Sequence, residues 1–331
     1  MPAPRALFLG GTGIISSACV AEALALGLEV TVLNRGKESA RPLPDGVEVL
    51  IADVRDLDSM RGALGGREFD TVVDFIAFTV EHVALGIELF SGRTGQFVFI
   101  SSASAYQKPI RHLPITESTP LVNPFWQYSR DKIACEDRLM AAHRDQNFPI
   151  TIVRPSHTYD RTLVPLEGGW TVIERYRAGK PVVVPGDGTS LWVLTHHRDF
   201  ARAFVRLLAN PKALGDAVHI TSDDVLTWNQ IHEILADAAG VRAPKIVHVA
   251  SETFAEFLPT AGPGLIGDKS HSVMFDNTKI RQLAPGWVAT IPFATGAREI
   301  IDWHDADAAR RPSDHGVDDA FDRLVAFARR R

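Results

Sequence analysis

Ala6-Leu7-Phe8-Leu9-Gly10-Gly11-Thr12-Gly13-Ile14-Ile15-Ser16 is the stretch that decides the fold. The apolar run 6–9 predicts a short strand buried on both faces, as in a parallel sheet. A helical stretch follows the glycines and continues to Leu26. Strand, glycine turn and helix in this order predict a dinucleotide-binding unit, because glycines let the backbone approach a pyrophosphate and the helix N-terminus offers free N–H groups. Ser16 stands where a third glycine would complete the pattern.

Composition narrows the class of protein. The chain has 331 residues, of which 45% are hydrophobic and 23% charged, which is ample for a large core. A net charge of −5 disfavours nucleic acid as a partner. The two cysteines, Cys19 and Cys135, stand beside apolar residues and are expected to be buried free thiols. The segment 1–10 does not resemble a signal peptide and no long apolar run is present, so we expect a cytoplasmic protein without a membrane span.

The end of the second predicted strand bears on the choice of cofactor. Residues 29–33 read as this strand and lead into Asn34-Arg35-Gly36-Lys37, where the adenosine ribose of a dinucleotide would lie. A carboxylate at this point would bind a ribose 2′-hydroxyl, whereas a cation suits a 2′-phosphate. Arg35 therefore favours NADP over NAD, and NAD stays open because Arg35 could instead stack on adenine or face water.

Further strands are predicted at 47–51, 71–75, 97–100 and 150–153, with helical stretches between them. This alternation predicts an α/β fold, a doubly wound parallel sheet of the Rossmann type. Ligands of such sheets gather at the carboxyl ends of the strands. Polar or flexible segments follow several of these ends, at Asp53-Val54, at 75–78 and in the serine-rich run 101–106.

Tyr128 and Lys132 lie four residues apart in a predicted helix from 125 to 142, after a helix start at Asn123-Pro124. This spacing puts both side chains on one helix face. A phenol has an ordinary pKa of about 10, and a neighbouring ammonium favours the phenolate. The pair therefore predicts a proton-transfer site if a substrate oxygen can reach it.

Five motifs in this order resemble the extended short-chain dehydrogenase/reductase family, the NAD(P)-dependent epimerase/dehydratase group, of which this chain is a somewhat atypical member. They are Gly10-Gly11-Thr12-Gly13, Asp53-Val54-Arg55-Asp56, Ser101-Ser102-Ala103-Ser104-Ala105-Tyr106, Tyr128-x-x-x-Lys132 and Arg154-Pro155. The resemblance implies that Ser102 is the catalytic serine and Tyr128 the general acid/base. It also implies that Lys132 binds the nicotinamide ribose and lowers the Tyr128 pKa, and that Asp53 meets adenine.

The site residues that follow from the motifs and the resemblance form three sets, and no metal site is predicted. The catalytic set is Ser102, Tyr128 and Lys132. The cofactor set is Gly10, Thr12, Gly13, Ile14, Ile15, Asn34, Arg35, Asp53, Val54, Ile76, Ala77, Ser101, Tyr128, Lys132, Pro155, Ser156 and His157. The substrate set is Phe78, Ser104, Tyr106, His157 and Trp192.

The second half resembles the family's substrate lobe. We expect a dinucleotide-binding domain over 1–160 with later sheet elements from about 193–240, a smaller substrate-binding lobe over 161–192 and 241–300, and a helical tail over 301–331. Thr227 and Gln230 predict a capping box. The Gly- and Pro-rich segment 259–269 predicts a surface loop, a candidate lid. His196 and His197 are adjacent in a predicted strand, so we expect their side chains on opposite faces, unable to share a metal ion.

Trp192 bears on the substrate. Many nucleotide-sugar members of the family carry at this position an arginine that holds the diphosphate, and an indole cannot pair with phosphate. A nucleotide-diphosphate sugar is therefore disfavoured, unless Arg175, Arg177 or Lys269 substitutes.

The expected reaction is hydride transfer at a secondary alcohol or ketone of a sugar-like substrate, with NADP or NAD. Dehydration is disfavoured because no carboxylate accompanies Ser102 in Ser102-Ala103-Ser104. A sugar epimerase with internally recycled NAD stays an alternative. A second alternative is a non-catalytic relative that binds a nucleotide or RNA, like chloroplast stem-loop RNA-binding proteins. The resemblance also implies a homodimer.

Overall fold

The computed structural model describes residues 2–37 and 39–330 and contains twelve strands among them. In chain order the strands are β1 Arg5–Leu9, β2 Glu29–Asn34, β3 Glu48–Ile51, β4 Thr71–Asp74, β5 Phe97–Ile100, β6 Ile150–Pro155, β7 His157–Tyr159, β8 Val182–Pro185, β9 Leu191–His196, β10 Asp216–Ile220, β11 Val225–Thr227 and β12 Ile246–Val249. Seven of them form one sheet in the order β3-β2-β1-β4-β5-β6-β10, with parallel pairing throughout. The predicted α/β fold with a doubly wound parallel sheet is confirmed.

Helices cover both faces of this sheet. They are α1 Ile14–Ala25, α2 Leu57–Leu64, α3 Val80–Phe90, α4 Gln127–Gln146, α5 Trp170–Arg177, α6 His197–Phe204, α7 Trp228–Ala238, α8 Ser251–Phe257, α9 Gly262–Gly264, α10 Thr278–Leu283, α11 Phe293–Asp305 and α12 His315–Ala328. Phe8 joins a core with α1 and α6, whereas Leu7 and Leu9 join a second core with α2, α3 and α4. Side chains alternate along a strand, so a continuous apolar strand such as β1 supplies both cores. No helix among residues 2–37 and 39–330 is long and apolar enough to cross a membrane.

A third core belongs to the later part of the chain. It contains residues of α5, α7, α11 and α12, together with two small sheets, β7-β9-β11 and β8-β12. The predicted capping box is confirmed at α7, where Thr227 Oγ1 accepts from Gln230 N at 3.2 Å and Gln230 Oε1 accepts from Thr227 N at 2.8 Å. Cys19 and Cys135 are buried free thiols, as expected.

Two local predictions are wrong. The segment 259–269 is not a surface loop, because it forms α9 and a π-helix over Leu265–Lys269. Leu265 packs into the third core, and that burial outweighs the helix-breaking composition. His196 and His197 do not point to opposite faces of one strand, because β9 ends at His196 and α6 begins at His197, and their ring centroids lie 4.7 Å apart.

Candidate active site

Two glycines form a close cradle between β1 and α1. Gly10 has φ +84°, and a Cβ at this position would lie 2.5 Å from Ile76 Cγ2. A Cβ on Gly11 would lie 2.7 Å from both methyl groups of Val32. Only glycine fits at both positions, so the backbone here can approach a ligand closely.

Ser16 contributes a side-chain hydrogen bond at the start of α1. Its side chain is buried, and its Oγ accepts a hydrogen bond from Gly13 N at 2.8 Å. A serine therefore fits the position at which the sequence pattern expects a third glycine. Ile14 and Ile15 are the first two helical residues, and their N–H groups have no acceptor one turn earlier. This helix end is suited to bind a phosphate oxygen.

A groove of about 370 Å³ runs from this cradle along the carboxyl ends of the strands. Its lining contains seven residues of the predicted cofactor set, which are Gly10, Thr12, Asn34, Arg35, Asp53, Val54 and Ile76. Lys37, Arg55 and Phe78 complete it, so Phe78, predicted for the substrate, lies at the cofactor groove. Arg55 belongs to the motif Asp53-Val54-Arg55-Asp56 but was not included in the predicted cofactor set, although its place in that motif could have indicated it. The tight glycine cradle, the helix N-terminus and three cations fit a dinucleotide with its phosphates.

Lys132 lies beside Phe78, which lines the groove. Its Nζ donates to Ala77 O at 2.7 Å and to Ile100 O at 2.8 Å, and it lies 4.6 Å from the Phe78 ring centroid. Burial lowers the pKa of Lys132 to about 8, against the opposing charge of buried Asp74. An ammonium has three donors, and these two carbonyls leave one for a ligand oxygen.

Tyr128 lies beside Lys132, but its predicted acidification is not observed. Burial raises the pKa of Tyr128 above its ordinary value, and a hydrogen bond with Ser102 only partly offsets this effect. The Lys132 Nζ lies 5.8 Å from the Tyr128 ring centroid and is engaged by the two carbonyls. Burial is therefore the main influence on the pKa of Tyr128, and Lys132 does not lower it in this arrangement, contrary to the expectation.

Three serine hydroxyls form a chain behind Tyr128. Ser129 Oγ donates to Ser104 Oγ at 2.8 Å, and Ser104 Oγ lies 2.9 Å from Ser102 Oγ. Ser102 Oγ also accepts from Ser104 N at 3.2 Å. Ser104, predicted to bind substrate, therefore uses its hydroxyl within the protein.

A second cleft, of about 240 Å³, opens at Ser102 and Tyr128. Several predicted residues line it together, namely Ser102, Ser104, Tyr128, Pro155, Ser156, His157 and Trp192. Other residues of the lining were absent from the predicted site, namely Ala103, Trp126, Thr158, Val193, Asp268, Val273 and Phe275. Lys269 also lines the cleft, and it was expected only as a substitute cation for a diphosphate. The indole of Trp126 lies just before α4, where proximity to Tyr128 was a usable signal. Asp268 and Lys269 come from the segment predicted as a loop.

His157 contributes a neutral donor to this cleft. Its Nδ1 accepts from Trp192 Nε1 at 3.1 Å, which leaves the proton of the neutral ring on Nε2. Burial lowers the pKa of His157 to about 3, with a further contribution from Lys269. The imidazole is therefore uncharged at neutral pH.

Two residues of the predicted site, Tyr106 and Ser101, have their side chains in the protein core instead. Tyr106 does not line the cleft, because it is fully buried and its hydroxyl lies 3.0 Å from His219 Nδ1 and accepts from Arg154 Nη1 at 3.2 Å. Its place in the predicted substrate set is therefore wrong. The Ser101 hydroxyl donates to Glu136 Oε1 at 2.5 Å, so this side chain is also engaged in the core.

The fold and the site define a class of protein. A parallel sheet with a glycine cradle, a groove along its carboxyl edge and a Ser–Tyr–Lys cluster beside Phe78 of that groove are the features of an extended short-chain dehydrogenase/reductase. Comparison with known proteins gives the family. The chain belongs to the NAD dependent epimerase/dehydratase family, which matches residues 6–89 and 88–221.

Individual relatives support the class. The chain is 30% identical over 289 residues to 2'-dehydrokanamycin reductase of Streptomyces kanamyceticus, covering 86% of this chain and 80% of the relative. It is 28% identical over 262 residues to chloroplast stem-loop binding protein of 41 kDa b of Arabidopsis thaliana, covering 76% and 67%. Its fold resembles dTDP-glucose 4,6-dehydratase of Bacillus anthracis in complex with NAD, with a TM-score of 0.74, 18% identity and coverage of 93% and 98%. The prediction of an enzyme of the extended short-chain dehydrogenase/reductase group is confirmed.

Proposed function

We propose that this protein is an NADP- or NAD-dependent oxidoreductase that interconverts a secondary alcohol and a ketone on a carbohydrate derivative. The observation that carries the proposal is the position of Tyr128. It lines the substrate cleft beside Ser102. Its ring centroid also lies 6.3 Å from that of Phe78, which lines the cofactor groove. A substrate carbon and a cofactor held in these two spaces would meet next to this phenol.

The bound dinucleotide would supply or accept the hydride. Gly10, Thr12 and the N-terminus of α1 would hold its phosphates. Asp53 would meet the adenine end. Lys132 would direct its remaining donor to a ribose oxygen and so fix the reactive end of the cofactor.

Tyr128 is best suited to give a proton. Its raised pKa keeps the phenol protonated at neutral pH, as a general acid requires. In ketone reduction, Tyr128 donates this proton to the oxygen of the new alcohol, while Ser102 hydrogen-bonds the same oxygen. In alcohol oxidation the proton returns to Tyr128.

The cation pattern supports NADP. Arg35 and Lys37 line the adenosine end of the groove, and neither forms an ion pair within residues 2–37 and 39–330. A 2′-phosphate would give both side chains a partner. NADP also suits a reductase that exchanges its cofactor at each turnover, which agrees with the Streptomyces relative that is named a reductase. An epimerase with internally recycled NAD is the alternative within the family.

Replacing Tyr128 with Phe tests the proposal. Purified wild-type protein is assayed for NADPH- and NADH-dependent reduction of a panel of keto sugars, and the active substrate is then used for Tyr128→Phe. We expect turnover to fall by about 100-fold or more with unchanged affinity for NADPH, because only proton transfer is lost. Tyr176→Phe, which alters a buried tyrosine outside the cleft, is the matched control. Near-full turnover of Tyr128→Phe would refute the assignment.

RNA binding is a second candidate function, because one relative is named a chloroplast stem-loop binding protein. It is tested by titrating an RNA stem-loop at two salt concentrations, since a phosphate-binding surface loses affinity as salt rises. We further propose a cytoplasmic homodimer, in line with the family and the reduced cysteines. Light scattering after gel filtration measures the oligomeric state.

A further inference from the structure

The substrate cleft carries two charged side chains, and both are already neutralised. Asp268 lies 2.9 Å from the Nζ of Lys108, whose side chain is fully buried. Lys269 Nζ lies 3.0 Å from Glu167 Oε1. Because each charged side chain is already paired, the cleft offers no unpaired positive charge to an anionic ligand.

The uncharged polar groups of the cleft suit hydroxyl groups. Ser102, Ser156, Thr158 and the neutral imidazole of His157 line it. His157 accepts the Trp192 indole N–H, so its other nitrogen is a donor without a positive charge. Neutral donors and acceptors of this kind bind the hydroxyl groups of a sugar, but they do not compensate the charge of a phosphate.

Aromatic faces form the remaining walls. Trp126 and Tyr128 lie with ring centroids 4.8 Å apart, and Trp192 stacks on Trp228 at 5.3 Å with an interplanar angle of 28°. The Trp228 Nε1 donates to Lys269 O at 2.9 Å, which fixes the stack. Rigid indoles supply apolar area against which the C–H faces of a sugar ring can pack.

From these features we propose that the substrate is an unphosphorylated glycoside, with its sugar ring against the half-buried indole of Trp126 and its hydroxyls on His157 and the neighbouring serines. The inference rests on the proposed oxidoreductase function and specifies its substrate class. A nucleotide-diphosphate sugar would bring two negative charges next to Asp268 and find only Lys269, which Glu167 already holds. Such a ligand would lose its hydration without gaining a free cation.

Binding of two ligands that share a hexose tests the proposal. Methyl β-D-glucopyranoside and UDP-glucose are titrated separately into protein saturated with NADP⁺, and saturation-transfer NMR reports sugar protons in contact with the protein. We expect the methyl glucoside to bind more tightly than UDP-glucose. Trp126→Phe should weaken the methyl glucoside about fivefold, because part of the stacking area is lost.

Two charge variants sharpen the test. Asp268→Asn and Glu167→Gln each remove one negative charge near the cleft, so each should tighten UDP-glucose about fivefold. Glu167 does not line the cleft, so Glu167→Gln should also leave the affinity for the methyl glucoside unchanged. Asp302→Asn, at an exposed carboxylate on α11, is the control and should change neither affinity. Glu167→Gln alters the more exposed pair, so it provides the test even if Asp268→Asn fails to fold.

Tighter binding of UDP-glucose than of the methyl glucoside by the wild-type protein would overturn the inference. An affinity for UDP-glucose that is unchanged in both charge variants would also overturn it. Binding is read without turnover. The substrate class can therefore fail while the Tyr128→Phe experiment holds, and the reverse outcome is equally distinguishable.

Discussion

Ser129 Oγ donates a hydrogen bond to Ser104 Oγ over 2.8 Å, and through it supports Ser102, the serine that faces Tyr128. Ser129 is fully buried and directly follows Tyr128 in the chain. The helix that carries the phenol therefore also holds the serine that bonds to it, so α4 positions both groups at once.

Removal of this support should act through Ser102. We expect Ser129→Ala to lower turnover about fivefold, the effect of one lost hydrogen bond, with an unchanged KM for NADPH. The Ser102 bond lowers the Tyr128 pKa, so its weakening should move the pH profile of alcohol oxidation to higher pH. Cys135→Ala, at another buried position of α4, is the control. A lower melting temperature without a shifted pH profile would assign Ser129 a structural role only.

Gly10 and Gly27 distinguish two reasons why a position requires glycine, namely a positive φ angle and a lack of space for a side chain. Their φ angles are +84° and +83°, but only at Gly10 would a Cβ clash, with Ile76 Cγ2 at 2.5 Å. We expect both Gly→Ala variants to lose about 1 kcal/mol from backbone strain. Only Gly10→Ala should also lose NADPH binding, measured by the fluorescence of the nicotinamide. Equal NADPH affinity in the two variants would contradict the proposal that the backbone at Gly10 approaches the cofactor closely.

Arg35→Ser tests cofactor choice. If Arg35 meets a 2′-phosphate, its removal should raise the Kd of NADPH about tenfold, as expected for a lost charge-assisted hydrogen bond, and leave that of NADH unchanged. Arg144→Ser, at an exposed arginine near the end of α4, is the control. Equal losses for both cofactors would favour stacking of Arg35 on adenine.

The buried pair of Glu136 and Arg154 should dominate local stability. Arg154 Nη2 lies 2.5 Å from Glu136 Oε2, and both side chains are nearly inaccessible. Glu136→Gln leaves the guanidinium without a counter-charge, so we expect the free energy of unfolding in urea to fall by about 3–5 kcal/mol. Glu88→Gln, which breaks the exposed pair with Arg61, should cost far less. Combining Glu136→Leu with Arg154→Met should recover much of the loss, and no recovery would contradict a desolvation penalty.

His232 should make the protein sensitive to acid. Burial lowers its pKa to about 3, so between pH 6.5 and 3 the unfolded chain binds a proton that the folded chain does not. The free energy of unfolding therefore falls as pH decreases through this range, by about 1.4 kcal/mol per pH unit. In His232→Gln, whose amide can still accept from the Tyr176 hydroxyl, this slope should decrease by about that amount. His112→Gln, at an exposed histidine elsewhere on the surface, controls for the replacement, and an unchanged slope in His232→Gln would contradict the assignment.

The parts of the molecule that depend on local pattern were predictable. The apolar run of β1 must be covered on both sides, and the four-residue spacing of Tyr128 and Lys132 fixes their common helix face. The alternation of strands and helices predicts parallel pairing, because parallel neighbours need long connections, but it does not predict the order of the seven strands along the sheet.

The parts that depend on distant contacts were not predictable. The glycines and proline of 259–269 indicate a loop, but Leu265 has a buried place in the third core and the segment becomes helical. Asp268 and Lys269 thereby reach the cleft from far along the chain. Tyr106 ends a serine-rich segment at a strand terminus, yet its hydroxyl meets His219, 113 residues later, inside the protein.

Asn123 connects the two sides of the cleft with one amide. Its Nδ2 donates to Ser104 O at 2.9 Å and to Gly267 O at 2.8 Å, and its Oδ1 accepts the N–H groups of Phe125 and Trp126. The spacing between Ser104 and the segment that bears Asp268 is therefore set by a side chain that belongs to neither. Substitutions after Gly267 would therefore change the lining of the cleft, while the bridge that Asn123 makes between its two sides stays in place.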